Sequence, residues 1–337
     1  MRILRRHVLL LFLSLIWAGH AHPQELINGA GATFPYPIYV KGFETYTKTH
    51  SAVKINYQSI GSGGGIRQLS QGTVDFGATD EPMTDEEMKK FAVPPLHLPT
   101  VVGAVAVVYN IPGVSSGLNL TRDALVGIFL GKITHWNAPE IAAVNSGMKI
   151  PARQILIVHR SDGSGTTAIL TDYLAKISGE WKSKVGFGKS VKWPAGLGGK
   201  GNEGVSGLIQ KMPFSIGYVS LNYAVETHMA VAKVQNQSGA FVSPEIKSIT
   251  AAAASFKVPA DFRMMITDAK APEAYSMSGF TWLLLPRTGL DSKKMTSFLG
   301  FLKWMLKEGQ LLAPALHYAP LPRNLILLEE EALAQLH

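Results

Sequence analysis

The sequence predicts an α/β protein of two domains, one inserted into the other. Two observations carry that reading. Along residues 26–109, strand-like apolar runs alternate with helix-like runs, the pattern of parallel α/β architecture with right-handed crossovers. A long middle block then separates this alternation from a last apolar strand at 279–286, which suits an inserted domain with chain crossings near residues 100 and 276. A length of 337 residues supports two domains of ordinary size, and 46% hydrophobic with 17% charged residues describes a compact, folded chain.

Residues 1–21 stand apart. Arg2, Arg5 and Arg6 precede an apolar core from Val8 to Ala18, and Gly19-His20-Ala21 ends the run in small residues. This is a secretory signal, with cleavage expected after Ala21. The apolar run is too short to span a bilayer, and no later run reaches the roughly 18–20 apolar residues required. With no cysteine after the cleavage site to carry a lipid, the mature protein is expected to be exported and soluble.

Residues 26–34 read as a strand running into a small-residue turn. Tyr36 to Thr49 is helical, with Ile38, Phe43 and Tyr46 facing the core. Val53, Ile55 and Tyr57 alternate with polar residues as a strand does, and lead into Gly61-Ser62-Gly63-Gly64-Gly65. A helix start is expected from Ile66 to Gln71, then a strand from Val74 to Ala78 ending at Thr79-Asp80. Pro94, Pro95 and Pro99 break the pattern over 88–100, and Val101 to Tyr109 resumes it as an apolar strand. Thr121 caps a helix through Leu130. Leu156 to His159 and Ile216 to Leu221 are further strands, with the glycine-rich stretch 196–204 between them. An amphipathic helix from Met295 to Lys307 follows the last strand.

Composition excludes several functions. Loss of the three leader arginines takes the formal charge from +8 to +5, a modest balance that attracts anions. No lysine-rich arm or nucleic-acid motif is present. Zero cysteines exclude disulfides and thiolate metal sites. The ten histidines are scattered and no His-Glu-x-x-His occurs, so neither a metal nor a cofactor is expected. Gly188-Lys189-Ser190 ends like a P-loop, but the required earlier glycine is Ser183. Neither Ser62 nor Ser164 sits at the centre of Gly-x-Ser-x-Gly, which removes the nucleophile-elbow reading.

The segment Arg160-Ser-Asp-Gly-Ser-Gly-Thr-Thr167 carries the strongest chemistry. Arg160 offers a planar fork of donors that Asp162 can hold in place. Ser164, Thr166 and Thr167 add hydroxyls, and Gly163 and Gly165 let backbone amides turn inward at a helix start, where an oxyanion can sit. Three other small-residue turns follow strands, at Ala32-Thr33-Phe34, Gly61-Ser62-Gly63 and Thr79-Asp80. Ligands of open α/β sheets bind at such strand ends. Asp80, taken alone, reads as the N-cap of a helix beginning near Met83. In an anion site its carboxylate suits an oxyanion that still has a proton to donate, as phosphate does and sulfate at neutral pH does not.

At these residues the chain resembles the periplasmic phosphate-binding proteins of bacterial high-affinity phosphate ABC transporters. The likeness rests on Gly29-Ala-Gly-Ala-Thr-Phe-Pro35, Ile60-Gly-Ser-Gly-Gly-Gly65, Thr73 to Asp80, Arg160 to Thr166 and Lys192 to Gly204, and weakens after about Leu321. Gly63 stands where a second serine is common, and Ser161 where alanine is common. The resemblance implies a two-lobed periplasmic-binding-protein fold of type II, with mixed sheets and a hinge. Lobe I would comprise 22–100 and 277–337, and lobe II 101–276. It implies phosphate ligands at Ala32, Thr33, Phe34, Ser62, Asp80, Arg160, Ser164, Gly165 and Thr166, with Asp162 supporting Arg160. A monomer that docks on inner-membrane permease subunits is expected, not an enzyme. The competing readings are a receptor for arsenate or sulfate, or a secreted phosphatase, which would need a nucleophile or metal cluster that the sequence lacks.

Overall fold

The structure is a computed structural model that describes residues 24–336; the leader read at 1–21 lies outside the described residues. In chain order the elements begin β1 (Glu25–Gly31), α1 (Tyr36–Thr49), β2 (Val53–Ser59), α2 (Ser62–Ser70), β3 (Phe76–Thr79), α3 (Asp85–Met88) and β4 (Leu96–Asn110). The middle of the chain forms β5 (Asn119–Leu120), α4 (Arg122–Phe129), α5 (Pro139–Ala142), β6 (Leu156–Arg160), α6 (Gly165–Ile177), α7 (Gly179–Lys184), β7 (Leu197–Gly199) and α8 (Gly201–Lys211). It continues with β8 (Ser215–Ser220), α9 (Leu221–Glu226), β9 (Ala230–Val231), β10 (Lys233–Gln235), β11 (Phe241–Val242) and α10 (Ile246–Ala254). Then come β12 (Ser278–Leu285), α11 (Ser292–Met305), two 3-10 turns and α12 (Arg323–Ala334). Among the described residues no helix is long and apolar enough to cross a membrane.

The main strands run in the order β2-β1-β3-β12-β4-β8-β6-β7. β1 pairs in parallel with β2 and β3, and β6 with β7 and β8, as the strand–helix alternation predicts. β12 and β4 are antiparallel to their neighbours, so the sheet is mixed. β4 joins two half-sheets. Its residues up to Ala104 pair with β12, and from Val105 onward they pair with β8. Two α/β halves therefore share one long strand, and β12 returns the chain to the first of them.

α1 matches its expected bounds, and Ile38, Phe43 and Tyr46 are buried. Phe43 packs with Phe76 and Phe301, which fastens α11 to the first half-sheet. Gly29 is required there, because a Cβ would lie 2.0 Å from the Phe76 ring. Several bounds differ from the sequence reading, β3 starting at Phe76 and α11 at Ser292, and α2 and β4 differ most. α2 begins at Ser62, inside the glycine run, since its tertiary contacts override the weak helix propensity of glycine. β4 starts at Leu96 and passes through Pro99, where a break is expected. A bulge accompanies it: Thr281 pairs with Val101 while Trp282 pairs with Pro99, so the ladder is interrupted at Thr100, next to the proline that has no N–H to donate.

Candidate functional site

The carboxyl ends of β1, β2, β3, β6 and β7 carry the loops that meet between the two half-sheets. The N-termini of α2, α6 and α8 follow three of these loops, and each presents backbone donors and the positive end of a helix dipole. The halves are in contact: the Gly63 N–H donates to the Gly163 carbonyl at 2.9 Å.

Arg160 ends β6 and is buried, with its side chain 1% exposed. Its Nε and Nη2 donate to the two oxygens of Asp162 at 2.8 and 2.6 Å, a bidentate pair that fixes the guanidinium plane. Nη1 reaches Thr166 Oγ1 at 3.3 Å. The Arg160 N–H donates to the Tyr218 hydroxyl, which in turn bonds Thr167 Oγ1, so β8 braces both ends of the motif. Burial raises the Asp162 carboxyl, but the Arg160 fork and the Gly201 N–H outweigh it and hold the group below the usual carboxylate range.

Ser164 caps α6, its hydroxyl accepting from the Thr167 N–H at 3.1 Å. Gly165 and Thr166 open that helix. The Gly165 N–H donates to Ser62 Oγ at 3.0 Å, and the same hydroxyl accepts from the Asp80 N–H at 3.3 Å. Ser62 thus ties a loop of each half-sheet to one oxygen. Gly165 lies hard against Asp80: a Cβ there would stand 2.5 Å from Asp80 Cβ and 2.7 Å from its backbone nitrogen.

Asp80 is 1% exposed, and its Oδ1 accepts from Thr281 Oγ1 at 2.8 Å. Burial pushes its carboxyl from 3.8 up to about 7, against the pull of the Thr281 hydroxyl and the Arg160 charge. It does not cap a helix, as it would if read alone. Thr84 caps α3, through a capping box with Glu87. Asp80 instead sits one residue beyond β3, where pairing with β12 brings Thr281 to its carboxylate.

In the first turn, the Ala32 N–H donates to the Ala78 carbonyl and its own carbonyl accepts from Tyr57. Ala32 therefore shapes the turn with both backbone groups committed. The Thr33 and Phe34 N–H groups have no acceptor among the described residues. Thr33 Oγ1 accepts from Asn202 Nδ2 at 2.7 Å, and the Thr33 carbonyl accepts from the Tyr223 hydroxyl at 3.0 Å. Asn202 also lies 3.4 Å from Thr166 Oγ1 and accepts from the Ser220 N–H.

These contacts bring Thr33, Ser62, Asp80, Arg160, Ser164, Gly165 and Thr166 together with Asp162, and Ala32 and Phe34 flank Thr33, although Ala32 offers no spare N–H. Sequence reasoning missed Asn202, Thr281, Tyr218 and Tyr223. Asn202 had a signal, as it starts a helix directly after a glycine-rich strand; the other three lie in strands or helices whose sequence marks them only as core. Among the described residues no cluster of His, Cys, Asp and Glu could hold a metal ion.

Two α/β halves sharing a long strand, with anion-suited loops facing each other, define a two-lobed solute-binding protein of the type II periplasmic fold. A family model described as "PBP superfamily domain" matches residues 18–308. The phosphate-binding protein PstS of Pasteurella multocida is 43% identical over 90% of this chain and 88% of its own length. That of Methanocaldococcus jannaschii is 41% identical over 89% of this chain and 83% of its own. Among solved structures, a high affinity periplasmic phosphate-binding protein (PfluDING) bound with phosphate superposes with a TM-score of 0.74 at 21% identity. The match covers 91% of this chain and 93% of that one, and at this identity it speaks to the fold. The chain belongs to the PBP superfamily and, within it, to the PstS phosphate-binding family.

Proposed function

We propose that this protein binds inorganic phosphate in the periplasm, between two closing lobes, and delivers it as a monomer to an inner-membrane ABC permease without catalysing a reaction on it. Lobe I would comprise 22–100 and 277–337, and lobe II 101–276, with the hinge in β4 and β12. The partner change at Ala104/Val105 on β4 supports that division. One observation carries the ligand assignment: a buried carboxylate, Asp80, lies against the N-terminus of α6 and within the field of the buried, clamped Arg160.

Donors dominate such a cleft, so it favours an anion. A single acceptor among them demands that the anion donate one proton. Both forms of phosphate near neutral pH carry that proton. In this reading the Thr33, Phe34 and Thr166 amides, the Ser62, Ser164 and Thr166 hydroxyls and Arg160 bind phosphate oxygens, and Asp80 accepts from the phosphate hydroxyl. Contacts from both lobes would favour the closed form and thereby drive closure.

Isothermal titration should give one tight phosphate site per chain and no sulfate competition at equal concentration near pH 8. Equal affinity for the two anions would overturn the assignment. Gly165→Ala gives a second test. The new Cβ would meet Asp80 backbone when the lobes close, an overpacking of about 1–3 kcal/mol, or roughly 5- to 150-fold in phosphate affinity. Its helix is expected to stay intact, because alanine is the better helix former. An unchanged dissociation constant would show that the jaws do not approach this closely in the bound form.

A further inference from the structure

Lys189 lies outside every contact assigned to the ligand, yet it touches a binding residue in lobe II and the neighbour of one in lobe I. Its backbone carbonyl accepts from the Ser164 N–H at 2.9 Å, which steadies the cap of α6 in lobe II. Its Nζ crosses to lobe I and donates to Glu81 Oε2 at 2.8 Å and Glu87 Oε2 at 3.0 Å. Glu81 follows Asp80 directly, and its backbone is pinned through Thr79 Oγ1. Glu87 belongs to the capping box of α3. The side chains of Lys189 and Glu81 are each 11% exposed and that of Glu87 is 19% exposed. Bulk water therefore screens this cluster far less than a surface pair. Without the ammonium, the two lobe I carboxylates that share it would be left close together and uncompensated.

We propose that Lys189, with Glu81 and Glu87, is an interlobe latch that sets how long the closed form persists and so governs ligand residence time. The proposal rests on the reading of the cleft as a phosphate site, but the latch itself is a property of the lobes. Lys189 is a positioning residue. It holds the ligand residue Ser164 through its carbonyl and Glu81, the neighbour of Asp80, through its ammonium, and so couples the two jaws. Opening the lobes must separate Nζ from both carboxylates, whereas initial encounter with the ligand in the open form need not involve them.

The experiment is stopped-flow phosphate binding, followed by intrinsic tryptophan fluorescence, on the wild type and on K189M, K189R and E81Q/E87Q. K189M should release phosphate ~30-fold faster or more, with the association rate changed much less. K189R should recover most of the residence time. In the E81Q/E87Q background, K189M should add little. A wild-type release rate in K189M would overturn the latch. So would an equal loss with or without the two glutamates, since Lys189 would then act on the anion through its charge. Small-angle scattering without phosphate gives a readout independent of the ligand. K189M and E81Q/E87Q should both shift toward a more open lobe arrangement, and an unshifted profile in both would count against the latch. Should the wild type fail to bind phosphate while these variants open, the ligand assignment falls and the latch stands.

Discussion

Arg160→Ala should all but abolish phosphate binding, weakening it by about 3–5 kcal/mol, or roughly 10²- to 4 × 10³-fold, as measured by isothermal titration. Two effects add. The anion loses a desolvated fork of donors, and Asp162 is left as an unpaired carboxylate, 13% exposed, beside the cleft. Arg160→Lys should rescue little, because a single ammonium cannot serve both Asp162 oxygens and the ligand in one plane. Asp162→Asn should cost less, since the Gly201 N–H and Thr166 still constrain the neighbourhood. A loss smaller than tenfold in Arg160→Ala would place the principal anion contact elsewhere.

Asp80→Asn should relax discrimination, raising sulfate affinity by about 10- to 100-fold relative to phosphate, which corresponds to the ~1–3 kcal/mol of a mismatched buried polar group. An asparagine amide can donate to sulfate where the carboxylate only repels it. The same logic predicts a pH dependence in the wild type. The Asp80 carboxyl titrates near 7 in the folded protein, so lowering the pH through that value supplies a donor, and sulfate competition should grow. Stability carries a second signature. Because the folded value lies above the ordinary 3.8, folding favours the neutral form. This contribution is present at pH below about 4 and is lost as pH rises through about 7. About three pH units at ~1.4 kcal/mol each bound it at ~4 kcal/mol. Urea unfolding without ligand should therefore show Asp80→Asn gaining on the wild type between pH 5 and pH 8. A constant difference across that range would mean that Asp80 ionises as a solvated carboxyl does.

Much of the architecture is legible because its causes are local. The periodicity of Tyr36–Thr49 sets α1, the alternation of Val53, Ile55 and Tyr57 sets β2, and Thr121 caps α4. The Arg160–Thr167 segment is legible for the same reason, since donor fork, clamp, turn glycines and helix cap are contiguous. Local signals misled where a distant partner decided the outcome. Pro99 enters a strand only because β12 supplies a register that skips Thr100. Asp80 resembles a helix cap until β12 places Thr281 on its carboxylate. Asn202 becomes a brace because α8 ends up beneath Thr33, 169 residues away in sequence.

By itself, then, the sequence determined two α/β units and one complete anion-binding turn, through short-range periodicity, capping and the chemistry of adjacent residues. Only the tertiary structure decided that Ser62 bonds Gly165 and Asp80 together, that Gly165 lies against Asp80, and that Lys189 spans the lobes. Those contacts join residues far apart in the chain. Their geometry depends on how two half-sheets hung on a single long strand swing toward each other, and no local pattern encodes that angle.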